Sequence, residues 1–347
     1  AYMGVAFGTY LTSIFTGIST SAAACIIVTL FFLLNLLDLK TSAKVQNVVT
    51  SVLLVVLLSF IILGLGKCDM NQLFSKESLL FGGTRGIFDA CAAVLFGVGG
   101  CTIIMNFGPQ IENPKRNIPK MTIITFVCAF LAFGLVAFVG SGVAPLAEVA
   151  GKPMTYQAQI IYPGNWYLLF VIGGALLAIV TTINANYQRY WSSILRGVDE
   201  GWLPEFMGKR NKHGIPWVLM VLFWLMALIP NLFGLNIGQL ISLASAVTLI
   251  PMLIPVWGFV KLPERDPEGW NASKMSKTFA SKGSRIALCA ASTILLGIFV
   301  VLNVLKFSKV AVIFVCIYFA VCAAICVFFG DKLLAAGEKR LAAKGEQ

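Results

Sequence analysis

Charge is scarce in this chain, and histidine scarcer still. Only 12% of the 347 residues are Asp, Glu, Lys or Arg, and His213 is the single histidine. No charged residue lies near the middle of any apolar run; Asp89 and Arg189 sit only near run ends. Ionisable groups deep in a bilayer are expensive and mark proton relays where they occur, so a relay of mid-membrane carboxylates within this chain is excluded. An embedded enzyme would need a nucleophile beside a base, or clustered His, Asp and Glu, and the runs hold neither. Paired CxxC motifs are missing too. Eight of the nine cysteines fall within or at the edge of apolar runs, where a free thiol behaves as a small hydrophobe. No metal and no cofactor is therefore expected. A charged leader with a cleavage site is also absent: Ala1 already lies in an apolar segment, Ala1 to Phe15, so the chain reads as beginning in mid-helix.

What is present is hydrocarbon. Hydrophobic residues make up 58% of the chain and the mean hydropathy is +0.87, outside the range of soluble proteins. The lipid bilayer is the first partner. After the partial segment come nine runs of spanning length: Ser21 to Leu37, Val45 to Gly66, Phe88 to Pro109, Pro119 to Gly142, Asn165 to Tyr190, Ile215 to Phe233, Ile237 to Val260, Ser284 to Val304 and Lys309 to Gly330. The fold class is an all-α polytopic membrane protein in a single transmembrane domain.

The net charge of +11 does not point to nucleic acid, because the basic residues sit in loops and form no patch interleaved with aromatics. They report topology. Counted by alternate sides, twenty of the 26 Lys and Arg residues fall on one side, among them Lys115, Arg116, Lys209, Arg210, Lys277, Lys339 and Arg340. The other six are Lys67, Lys76, Arg85, Lys152, Lys306 and Lys309. Cytoplasmic loops are enriched in Lys and Arg, which makes the C-terminus and the loop at Asn113 cytoplasmic in a multi-pass cell-membrane protein. His213, beside Gly214 and Pro216, reads as part of a structural turn. The long stretch Val143 to Gly164, broken by Pro145, Pro153 and Pro163, is either a lid folded back over the protein or a solvated loop.

Two features inside the runs carry functional information. The first is LFGVGGCTIIMNFGPQIENPKRNIP, Leu95 to Pro119. Gly97, Gly99 and Gly100 fall in mid-run, and each glycine costs a helix interior about 1 kcal/mol relative to alanine. Either the helix is broken there, freeing carbonyls that can receive a cation, or the glycines let two helices approach closely. The second is a neutral polar cluster, Thr181, Thr182, Asn184, Asn186, Tyr187 and Gln188, with a sparser row at Gln239, Ser242, Ser245 and Thr248. Such faces either line a polar path or hydrogen-bond to a neighbouring helix.

Several stretches in the right order resemble the amino acid, polyamine and organocation transporters. They are Leu33 to Thr50, the glycine-interrupted run ending in ENPKRNIPK (Glu112 to Lys120), VDEGWLPEF (Val198 to Phe206) and KHGIPW (Lys212 to Trp217). The resemblance implies a twelve-helix fold with two inverted five-helix repeats, of which this chain would hold the end of the third helix through the twelfth. The partial first repeat is then 1–66, the second repeat 88–260, and two further helices occupy 284–330. It implies secondary active transport of amino acids or related amines by alternating access, with H+ or Na+ as a possible coupling ion. Phe96 falls where that family has an aromatic over the substrate. Gly97, Val98, Gly99, Gly100 and Cys101 fall on the unwound turn whose carbonyls receive the substrate ammonium, and Asn184 and Ser242 complete the candidate substrate-binding set. Leu53 stands where some members carry a lysine in place of a cation, and Pro109 and Gln110 where many carry acids. With the family's first broken helix not in the sequence, the 347-residue chain by itself is expected not to transport. The alternatives are a polyamine transporter and a structural or regulatory membrane subunit.

Overall fold

The structure, a computed structural model, describes residues 1–37, 43–98, 100–101, 104, 111–234, 237–273, 275–305, 307 and 309–345. Among them the regular elements are helices. In chain order the principal ones are α1 (Tyr2–Thr12), α2 (Thr20–Leu36), α3 (Ala43–Leu65), α4 (Gly83–Val98), α5 (Pro114–Gly142), α6 (Thr155–Ile161), α7 (Leu177–Asp199), α8 (Trp217–Leu232), α9 (Ile237–Arg265), α10 (Pro267–Ala272), α11 (Lys282–Val304) and α12 (Lys309–Gly345). Local chemistry sets their starts. Ser19 caps α2 by accepting from the Ala22 amide at 3.2 Å, and Ser281 caps α11 by accepting from Ser284 at 3.0 Å. Asn113, the only described non-glycine residue with positive φ (50°), turns the chain into α5, and Pro114 occupies its first position.

Among the described residues, six helical stretches are long and apolar enough to cross a membrane: Asn47–Leu65, Arg116–Gly142, Gly164–Tyr187, Leu243–Arg265, Lys282–Val304 and Ala311–Arg340. Thr20–Leu36 and Trp217–Leu232 are apolar but shorter. Their outer faces are hydrocarbon: Ile254 is 79% exposed, Val327 77% and Phe328 75%. In water such surfaces would drive aggregation; in a bilayer they meet lipid. The chain is an all-α, multi-pass membrane protein.

The described chain forms two units. The first comprises Ala1–Ser75, Val136–Ile237 and Cys316–Gln347. It has two cores. One gathers Val56, Phe60 and Ile61 of α3 with Val139, Ala158, Ile161, Phe170 and Val171, and the Phe60 and Phe170 rings stack at 4.5 Å. The other gathers Ala6 of α1, Ile27, Val28 and Phe32 of α2, Ile179, Ile183 and Tyr187 of α7, and Met220 of α8. A single apolar run supplies side chains to both, and its backbone changes between them: Phe170–Leu176 is a π-helical segment leading directly into α7. In the stretch after α5, the first half is largely exposed and the second half is packed. Thr155, Gln157, Ala158, Ile161 and Tyr162 are buried, and Lys67 ties its ammonium to the Ile160 carbonyl at 2.9 Å.

The second unit comprises Lys76–Leu135 and Gly238–Val315. Its compact core is small, Leu249 of α9 against Phe299 of α11, with Leu296, Val300 and Leu302 around it. Elsewhere α9 and α11 are joined by polar contacts, Trp257 Nε1 donating to Thr293 Oγ1 at 3.0 Å and Cys289 Sγ to the Val256 carbonyl at 3.1 Å. One boundary differs clearly from the apolar run that predicts it: α12 continues to Gly345, well past Gly330. The extension, DKLLAAGEKRLAAKG, is built from strong helix formers, so helicity persists where hydrophobicity ends.

Candidate functional site

In the glycine-rich run, α4 is helical over Gly83–Val98. Within α4, Gly97 occupies the last turn with an exposed Cα, and a Cβ there would lie 3.4 Å from Phe133 Cε2 of α5. Gly100 and Cys101 follow in 3₁₀ geometry, with Cys101 buried at 8% exposure. Gly99 and the side chains of Phe96, Val98 and Ser242 lie outside the described residues. The last four carbonyls of any α-helix have no partner further along it, and in α4 these belong to Leu95, Phe96, Gly97 and Val98. They form the negative end of the helix dipole, inside an otherwise apolar run. Chemically, that end can receive a cation through backbone oxygen alone.

The polar cluster of α7 is largely engaged with protein. Asn184 Oδ1 accepts from Asn35 Nδ2 of α2 at 2.9 Å, and the same amide group of Asn35 donates to the Phe31 carbonyl at 2.9 Å. Tyr187 donates its hydroxyl to the Val28 carbonyl at 3.2 Å. The threonines bond backward into their own helix, Thr181 to the Leu177 and Ala178 carbonyls and Thr182 to Ala178 at 2.7 Å. Ser245 of α9 does the same to Ile241 at 2.8 Å. Back-bonded hydroxyls satisfy their donors locally and keep only acceptor capacity for anything else. The cluster therefore serves first as a polar seam between α2 and α7 within the first unit.

A sequence model described as amino acid permease matches residues 1–329, nearly the whole chain. The chain belongs to the amino acid permease family. Among its relatives, the branched-chain amino acid permease BcaP of Bacillus subtilis is 24% identical over 269 residues, covering 77% of this chain and 57% of that protein. The probable agmatine/putrescine antiporter AguD of Lactococcus lactis is 26% identical over 204 residues, covering 53% of this chain and 42% of the relative. The inner membrane transport protein YbaT of Escherichia coli is 26% identical over 231 residues, 65% and 51%. The chain spans about half the length of the curated relatives it matches.

Two stretches that carry the family resemblance are seen in this chain as scaffolding around the first unit. KHGIPW makes a tight turn in which Asn211 Oδ1 accepts from the His213 and Ile215 amides at 2.9 and 3.0 Å, with Gly214 at φ 79°. Asn211 Nδ2 in turn donates to the Leu36 carbonyl at 2.7 Å, satisfying one of the orphan carbonyls at the end of α2. VDEGWLPEF meets the C-terminal end of α12. There Arg340 Nη1 donates to the Val198 and Leu203 carbonyls at 2.7 and 3.0 Å, and its Nε pairs with Glu205 at 2.9 Å. Gly201 (φ 85°) and Gly337 permit this, because a Cβ on either would strike the opposing backbone.

Sequence reading passed over Asn35, Asn231 and Arg340. Asn231 is 1% exposed; its Nδ2 donates to the Ala227 carbonyl at 2.7 Å, while its buried Oδ1 has no partner. It faces Gly4, where a Cβ would lie 3.0 Å from Nδ2. The available signal was an asparagine next to Pro230 within an apolar run, the kind of intramembrane polar residue that repays attention.

Proposed function

We propose that this chain belongs to a secondary transporter that carries amino acids or closely related amines by alternating access. The observation that carries the proposal is the ending of α4 at Val98 in the middle of an apolar run. A break at that depth is costly unless something uses the freed groups, and carbonyl oxygens at a helix C-terminus suit a primary ammonium. Gly97 to Cys101 would then hold the ammonium, with Phe96 over the substrate; Asn184, in the other unit, stays a separate candidate substrate-binding residue, as does Ser242. The carboxylate of an amino acid suits N–H groups at the start of a half-helix. Membership of a family that includes permeases named for branched-chain amino acids and an antiporter named for agmatine and putrescine supports the substrate class. Polyamines are the second reading, favoured by those relatives and by a site that offers oxygens to a cation.

Gly100→Leu and Gly134→Ala in the full-length protein test this. Gly134 has open space at its missing Cβ and serves as the control. Radiolabelled leucine and putrescine binding is measured on folded protein of each variant. Gly100→Leu is expected to lose binding by about 100-fold or more, because a side chain fills space the ligand needs, while Gly134→Ala binds as the parent does. Normal binding by Gly100→Leu would make the glycines packing residues and sink the proposal. Preference for leucine over putrescine, or the reverse, separates the two substrate classes.

A further inference from the structure

The loop between α9 and α11 is basic and built around a buried arginine. From Lys261 to Arg285 it carries six Lys or Arg residues and three acids, and the last twelve residues, from Lys274 on, carry four cations and no acid. Arg285 lies in the first turn of α11 yet is only 8% exposed. Its side chain folds back ahead of the helix. Nη1 donates to the Phe279 and Ala280 carbonyls, both at 2.9 Å, and Cζ sits 5.4 Å from the centroid of the Trp270 ring. Trp270 and Phe279 are held in turn by Phe259, edge-on to both at 5.6 and 5.8 Å.

This arrangement leaves one edge of the guanidinium unused. Nε, buried, has no acceptor, and Nη2 donates to none of the described residues. Nε and Nη2 form the side of the fork that takes two oxygens of a carboxylate or phosphate at once. Among the described residues no carboxylate fills it: Asp266 caps α10 by accepting from the Gly269 amide at 2.9 Å, and neither it, Glu264 nor Glu268 pairs with Arg285. Two carbonyls and the Trp270 ring offset only part of the cost of a positive charge taken out of water at the positive end of a helix without a counter-ion. An anion reverses that balance. Exposed Lys277 and Lys282 lie within the same loop to add attraction, and Leu262, Met275, Ile286 and Leu288 beside it present 39 to 51% of their surface as hydrocarbon.

We propose that Arg285, stacked near Trp270, with exposed Lys277 and Lys282 on the same segment of chain, forms a site for a phosphate-bearing anion at the membrane surface, the kind of group carried by an anionic lipid. The test is thermal unfolding of the purified protein in phosphatidylcholine micelles, titrated with phosphatidylglycerol and, separately, with inorganic phosphate. Phosphatidylglycerol is expected to raise the midpoint saturably, and Arg285→Gln to weaken half-saturation by about tenfold or more, the worth of a bidentate charged contact. If Arg285→Gln does not fold, Lys277→Gln/Lys282→Gln decides, with half-saturation several-fold weaker expected. A rise reproduced by inorganic phosphate and abolished by the same changes identifies a soluble anion at the same site; a rise with lipid alone identifies the headgroup. A response equal in parent and variants, or no response to either anion, overturns the proposal.

Discussion

Cys68 sits just beyond α3 with its thiol donating to the Val139 carbonyl at 3.8 Å and packed against Gly142. Burial pushes this thiol above the ordinary cysteine range. Since the thiolate is the reacting species, labelling of Cys68 should be slow at neutral pH and quicken by about tenfold per pH unit below its pKa. A cysteine introduced at exposed Glu77 should label faster at the same pH. Both are expected to react with a membrane-impermeant maleimide added outside intact cells, whereas a cysteine at Ser273 should react only after permeabilisation. Labelling in the opposite sense would invert the orientation implied by the twenty-to-six distribution of Lys and Arg.

At the scale of elements, the π-helical segment Phe170–Leu176 constrains sequence change through its glycine pair. A Cβ at Gly174 would lie 3.0 Å from Val56 Cγ1, and one at Gly173 3.4 Å from Val56 Cγ2, so α3 rests against bare backbone at this turn. Gly174→Val should therefore cost about 1–3 kcal/mol by overpacking, read as a lowered unfolding midpoint. Gly258, whose missing Cβ meets nothing, should accept alanine without a measurable drop. Equal behaviour of the two positions would mean that the close contact at Gly174 relaxes freely. Gly173-Gly174 also shows where reading the chain falls short. A glycine pair inside FVIGGAL is compatible with a break, a close approach or a wider turn, and only the position of α3 decides among them.

For the molecule as a whole, the helices were legible and their connections were not. Apolar runs mark the helices because hydrocarbon must be covered by hydrocarbon, and that requirement acts on each segment by itself. Asn35 and Asn184 stand 149 residues apart, and nothing local to either says that they share a hydrogen bond. Asn184 reads as a candidate ligand from its polar neighbours alone; that it also accepts from Asn35 of a neighbouring helix is not written in the local pattern. Arg340 was hidden for a different reason: in a tail of alanines, lysines and glutamates an arginine resembles any solvated charge. Its two carbonyl bonds should make Arg340→Ala cost about 1–3 kcal/mol and raise hydrogen exchange at residues 198–205. Glu205→Gln should change exchange little, since Glu205 is 73% exposed and a pair so wet contributes under about 1 kcal/mol. If the two variants exchange alike, the grip is electrostatic and the carbonyl bonds are incidental.

That grip turns the tail into a rigid pointer. α12 is 37 residues long, so at 1.5 Å per residue it measures about 55 Å, nearly twice the thickness of the hydrocarbon it crosses. A rod anchored near its far end cannot swivel as an ordinary terminus does. A fluorophore joined close to Gly345 would share the orientation of the loop at Val198 to Glu205, and its polarised emission would report any rotation of that loop as the protein works.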